Sequence, residues 1–206
     1  MKDKNLLELT RSIEKDLINM RRDFHMHPEL GMEEFRTSKI IGDFLENLGI
    51  KVQRNVANTG VVGILEGEMK GRTIALRADM DALPMDDLKN VPYISTIPGK
   101  MHACGHDAHT SMLLWSAMLL SKMKDKLRGK VIFIFQPAEE TVGGAEPMIR
   151  EGVLKNNNVD AIFGLHMAPD IDTGKIGVRY GTANASANTF EIEIIGKSTH
   201  GATPHL

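Results

Sequence analysis

The stretch KVIFIFQPAEE, residues 130–140, decides the fold. From Val131 to Phe135 it is an uninterrupted run of aliphatic and aromatic side chains, the composition of a strand buried on both faces. Such strands belong to sheets covered by helices on both sides, and those sheets are built largely from parallel strands. The run then leaves the strand through Glu139 and Glu140. Two adjacent carboxylates at the end of so apolar a segment require something to pair with them.

The sequence on either side has the matching texture. Upstream, DAHTSMLLWSAMLLSKMKDKL (107–127) has helical spacing, whereas IKVQRNV (50–56), GVVGILEG (60–67) and RTIALRAD (72–79) are short and β-branched, with glycines between them. Downstream, GGAEPMIREGVL (143–154) predicts a short helix and DAIFGLHM (160–167) a second buried strand. At the N-terminus Leu6, Leu9, Ile13, Leu17, Met20 and Phe24 lie three or four apart, one face of an amphipathic helix that stops before Pro28. A further helix carries Phe35, Ile40, Ile41, Phe44, Leu45 and Leu48 and ends at Gly49. Strands alternating with covering helices predict an α/β fold with a mixed, largely parallel sheet. Beyond Gly181 the pattern changes. NTFEIEIIGKS (188–198) alternates Phe190, Ile192 and Ile194 with Glu191 and Glu193, as in a sheet with one wet face. A domain boundary is therefore placed near 182–188, dividing the chain into 1–184 and the start of a second domain, 185–206.

Bulk properties narrow the function. With 42% hydrophobic and 25% charged residues the chain is of ordinary globular composition. A net charge of −2 supplies no basic field for nucleic acid or an anionic membrane surface. One cysteine excludes an intrachain disulfide framework. MKDKNLLELTRSIEKDL is too charged for a secretory signal, and no stretch approaches the roughly 20 apolar residues of a membrane span. These features predict a soluble, cytoplasmic protein.

In α/β sheets, sites collect where loops leave the carboxyl ends of strands. Four such exits carry polar groups: ALRADMDALP (75–84) with Arg77, Asp79 and Asp81, MHACGHDAHT (101–110), FQPAEE (135–140), and FGLHM (163–167) with His166. Singly, each has a plain structural reading. Cys104 could be a buried small hydrophobe or a redox thiol, His106 a helix cap, Glu139 and Glu140 a solvated turn, and His166 a hydrogen-bonded core histidine. Together, Cys, His, Glu and His form a donor set that Zn²⁺ accepts, with Mn²⁺, Co²⁺ and Ni²⁺ as alternatives. Of two adjacent glutamates, one can ligate while the other serves as general base.

Six ordered segments carry a family resemblance: RRDFHMHPELGMEEFRTS (21–38), LRADMDALPM (76–85), MHACGHDAHT (101–110), FQPAEETVGGAEPMI (135–149), GLHMAPDIDTGKIGVRYG (164–181) and GKSTHGATPH (196–205). They resemble the signatures of M20 metallopeptidases, within them the aminoacylase and hippurate hydrolase-like amidohydrolases. The resemblance implies a zinc-peptidase-like catalytic domain followed by the start of an α+β lid and dimerisation domain. It also implies two divalent metal ions and hydrolysis of N-acyl amino acids to a carboxylate and a free amino acid. Carried over by motif, Cys104, His106, Glu140 and His166 match metal ligands and Glu139 the general base. Asp79 matches the aspartate beneath the site, and His200 a lid histidine that approaches the substrate, often from a partner subunit in a homodimer. His25 and His27, at a helix end, read as structural, and His102 and His109 as hydrogen-bonded supports of the loop.

The family pattern also contains a further histidine ligand and a return to the catalytic domain past Leu206, so the resemblance implies a truncated chain with four of five protein ligands, inactive by itself. The alternative is a non-catalytic, metal-binding remnant or interaction fragment. A dipeptidase or aminopeptidase of the wider family fits less well, because those branches usually carry an aspartate or histidine where Cys104 stands.

Overall fold

The computed structural model describes residues 3–141, 143–182 and 190–205. The chain forms two compact units, Met1–Met167 and Ala168–Leu206. The expected boundary at 184/185 lies outside the described residues.

In the first unit, helices α1 (Asp3–Ser12), α2 (Glu14–Met26) and α3 (Phe35–Asn47) precede strands β1 (Lys51–Val56), β2 (Gly60–Glu66) and β3 (Met69–Asp79). Helix α4 (His106–Ser121), strand β4 (Arg128–Gln136), helix α5 (Ala145–Arg150) and strand β5 (Ala161–Gly164) follow. The strands form one sheet in the order β1-β2-β4-β3-β5. β3 pairs in parallel with both β4 and β5, while β2 runs against its neighbours β1 and β4, so four of the five strands share one direction.

β4 is central and covered on both faces, as its composition requires. Val131, Phe133 and Phe135 pack with Phe24, Ile41, Leu45, Leu114 and Ala117 of helices α2, α3 and α4. Ile132 and Ile134 face the other way, onto Met148 and Val153 of α5 and the turn after it. Each fully buried side chain of this kind contributes about 1.5–3 kcal/mol through apolar surface removed from water.

Three elements differ from the sequence-based expectation. The N-terminal face is carried by two helices, because the chain bends at the buried residue Ile13 (φ −106°, ψ −1°). β5 forms as predicted but is exposed, Ile162 by 49% and Phe163 by 59%. It is an edge strand that pairs only with β3 among the described residues, so its apolar run is not covered as that of β4 is. In the second unit, residues 190–195 form no strand and their apolar side chains stand exposed. Alternation stabilises a strand only when a neighbouring strand takes up its backbone groups. No helix among the described residues is long and apolar enough to cross a membrane.

Candidate metal centre

The parallel register brings three strand ends level: Asp79 of β3 stands beside Gln136 of β4, and Arg77 beside Gly164 of β5. Arg77 locks this edge, donating from Nε to Gln136 Oε1 (3.0 Å) and from a terminal nitrogen to Asp79 Oδ2 (2.6 Å). The MHACGHDAHT loop arrives above it, and α4 starts at His106 after Gly105, whose φ of +93° lies in the left-handed region. A Cβ at Gly105 would also sit 3.0 Å from Met167 Cγ.

Cys104, His106 and His166 gather here with ligand atoms all within 4.8 Å of one another, and so do His106, Glu139 and Glu140. Cys104 Sγ lies 3.3 Å from His166 Nε2. His106 Nδ1 meets Asp81 Oδ1 at 3.1 Å, and His166 Nδ1 meets the Met167 carbonyl oxygen at 2.7 Å. Both partners are acceptors, so Nδ1 carries the proton in each ring and Nε2 keeps a lone pair for a ligand. His106 Nε2 and Glu140 Oε1 are buried, have no hydrogen-bond partner among the described residues, and stand 3.7 Å apart. Two orphaned buried atoms facing each other are costly. A cation bonded to both at about 2 Å would satisfy them, and sulfur, imidazole and carboxylate ligands suit Zn²⁺ and its neighbours. The residues fit the metal.

The electrostatics agree. Burial first, then the nearby Glu140 carboxylate and the charges of Glu139 and Asp79, push the Cys104 thiol up to about 12. Only a nearby positive charge would turn it into a thiolate ligand. Glu139 is exposed beside this cluster, free to face solvent.

Asp79 and His109 also lie close to His106, but they are bonded to one another, and His109 is excluded as a ligand. His109 Nδ1 donates to Asp79 Oδ1 at 2.6 Å, while its Nε2 accepts the backbone N–H of Met167 at 2.9 Å. No lone pair remains on that ring. Asp79 uses its other oxygen for Arg77 and is buried under the cluster. Burial raises its carboxyl, yet the His109 hydrogen bond and the charges of His106 and Arg77 outweigh it and hold the group at about 2.

Six of the seven residues singled out from the sequence thus converge: Cys104, His106, Glu139, Glu140, His166 and, beneath them, Asp79. His200 belongs to the second unit, where its Nδ1 accepts the Ala202 N–H at 3.1 Å. His25 and His27 are no metal pair. His25 is buried between Asp107 (2.6 Å) and Asp87 (3.2 Å), and His27 bonds the Asp23 carbonyl. His109 supports the loop by hydrogen bonds, but His102 does not. It is buried with neither ring nitrogen partnered among the described residues, and burial drives it down to about 4, which keeps it neutral. The sequence reading gave no role to Asp81, which holds His106 Nδ1 with one oxygen and the Glu140 N–H (2.9 Å) with the other. Its signal was a second carboxylate two residues past the strand end.

Comparison with known proteins gives a consistent result. The profile of Peptidase family M20/M25/M40 matches residues 75–205. The chain is 45% identical over 194 residues to an N-acetyl-L-cysteine deacetylase of Bacillus subtilis, covering 94% of this chain and 46% of that protein. It is 41% identical over 206 residues to an N-acyl-L-amino acid amidohydrolase of Geobacillus stearothermophilus, covering 100% and 55%. A solved Bacillus subtilis structure, described as a dinuclear metal binding peptidase from the M20 family, superimposes with a TM-score of 0.78 at 46% identity, covering 82% of this chain and 47% of that one. The chain spans about half the length of the curated relatives it matches.

Proposed function

This chain belongs to peptidase family M20/M25/M40, and on that premise we propose that it carries the site of a metal-dependent amidohydrolase acting on N-acyl amino acids. The products are a carboxylate and a free amino acid. The observation that carries the reading is the pair of orphaned, buried ligand atoms, His106 Nε2 and Glu140 Oε1, with Cys104 and His166 beside them. The substrate class is supported by the amidohydrolase and deacetylase relatives.

Cys104, His106, Glu140 and His166 would hold two divalent ions of the Zn²⁺, Mn²⁺, Co²⁺ or Ni²⁺ class. When bound, such ions supply Lewis-acid polarisation of a carbonyl oxygen and of water. Glu139 takes a proton from the attacking water, holds it on its carboxylate, and returns it to the leaving nitrogen as the amide C–N bond breaks. Asp81 and the Met167 carbonyl hold Nδ1 of His106 and His166, so each ring offers Nε2. Asp79 and Arg77 keep the strand ends together below. The assignment of His200 to the substrate rests on the resemblance of GKSTHGATPH alone.

The test is metal analysis of wild type and C104S in a full-length form that supplies the fifth ligand implied by the resemblance, with release of free amino acid from N-acetyl and N-benzoyl substrates followed in both. The wild type retains divalent metal and releases product, and C104S loses both. Unchanged metal content and turnover in C104S would remove the ligand assignment. Cleavage of peptides with no action on N-acyl amino acids would move the substrate class to that of a peptidase.

A further inference from the structure

Glu139 and Glu140 stand on a loop that the backbone does not favour. Ala138, buried between Pro137 and Glu139, has φ +49°, a left-handed conformation that an L-residue seldom adopts without support. Its carbonyl accepts the N–H groups of Gly143 (3.0 Å) and Gly144 (3.2 Å). Its N–H donates to Oε1 of Glu34 at 2.8 Å. Two residues on, the Glu140 N–H donates to Asp81 Oδ2. Buried carboxylates therefore grip the backbone on either side of Glu139.

Glu34 is an unusual residue to find there. It occupies the N-cap position of α3 yet makes no capping hydrogen bond to that helix. Glu29 does that work, accepting the N–H groups of Arg36 (2.9 Å) and Thr37 (2.8 Å). The Glu34 side chain is thereby free to turn away, fully buried, with Oε2 fixed by the Thr59 hydroxyl at 2.5 Å. The turn before it fits closely against the same loop. A Cβ at Gly31 would lie 2.5 Å from Thr141 Oγ1 and 3.0 Å from Ala138 Cα. A carboxylate buried this deeply needs a reason, and the helix it begins does not supply one.

We propose that Glu34 is a positioning residue for the Glu139–Glu140 pair, acting through the backbone N–H of Ala138. This rests on the roles given above to Glu139 and Glu140. What matters is the reach of the side chain and its acceptor oxygen, not its charge. Glutamine keeps the reach and an acceptor for Ala138, and the Thr59 hydroxyl can turn to accept from its amide. Aspartate keeps the charge but is one methylene too short.

The experiment compares E34Q and E34D with wild type in two ways. Hydrogen exchange, measured without metal by mass spectrometry on the peptide spanning residues 137–141, reads the loop itself. In E34D this peptide exchanges about tenfold faster relative to the rest of the protein, and in E34Q it stays near the wild-type rate. Titration with Co²⁺, followed by its visible absorption, reads the position of Glu140. E34D loses about tenfold in affinity, the low end for a residue that orients a ligand, and E34Q keeps the wild-type value. A destabilisation without positioning would raise exchange throughout the protein and leave Co²⁺ affinity unchanged. E34Q impaired as much as E34D, or E34D indistinguishable from wild type in either measurement, overturns the proposal. A wild type that binds no Co²⁺ overturns the metal-site reading instead, and the exchange rates then decide Glu34 alone.

Discussion

His109 accepts the backbone N–H of Met167 on Nε2 at 2.9 Å, one residue past the proposed ligand His166, while its Nδ1 donates to Asp79. One imidazole thus ties the exit of β5 to the end of β3 and holds His166 over the site. The substitution H109L fills most of the space but leaves a buried carboxylate oxygen and an amide N–H without partners. It should cost about 1–3 kcal/mol of stability in urea unfolding and about 10- to 100-fold in Co²⁺ affinity. Equal affinity in H109L and wild type would show that His166 needs no such bracket.

The neighbouring glutamates should separate cleanly. Glu140 faces the orphaned His106 Nε2, whereas Glu139 is exposed. In the full-length form, E139Q should therefore retain metal through dialysis while kcat falls about 10²- to 10⁴-fold, the range of a lost general base. E140Q should lose metal and activity together. Metal analysis paired with initial rates makes the comparison, and the reverse pattern would exchange the two roles.

Metal removal should be visible in stability as well as in activity. A ligand that binds only the folded state at 100 times its Kd adds about 2.7 kcal/mol. Chelation should accordingly lower the melting temperature, and Zn²⁺ should restore it. Substituting Co²⁺ should give a thiolate charge-transfer band that is missing in C104S, since sulfur is the group brought within 3.3 Å of His166 Nε2. A Co²⁺ spectrum identical in C104S would place Cys104 outside the coordination sphere.

How much of this was legible in the sequence depended on whether the cause was local. Val131 to Phe135 face two helical layers by simple alternation, so an unbroken apolar run sufficed to identify a doubly covered strand. Ala161–Gly164 has the same texture, yet it lies at the sheet edge and is exposed, because position within a sheet is a property of the topology. The donors Cys104, His106, Glu140 and His166 were legible as polar groups left unexplained at the exits of apolar strands. Their orientation was not. It comes from Asp81, the Met167 carbonyl and Glu34, the last of them 104 residues from the amide it holds. Contacts across that separation leave no periodic trace in the chain.

The buried carboxyl of Glu34 should also leave a signature in the dependence of stability on pH. Burial raises its pKa above 4.5, and the hydrogen bonds from Thr59 and Ala138 offset only part of that effect. The folded protein therefore keeps this proton where the unfolded chain has already released it. Its contribution to stability is complete below about pH 4.5, the ordinary value, and is lost as the pH rises through the higher folded value. E34Q cannot ionise and carries no such dependence. Urea unfolding of both proteins at steps from pH 4 to pH 8 should show E34Q gaining on wild type as the pH rises through that window, with a constant stability difference above it. A stability difference that does not change with pH would mean that Glu34 ionises as readily in the fold as in the unfolded chain, and that burial does not govern its charge.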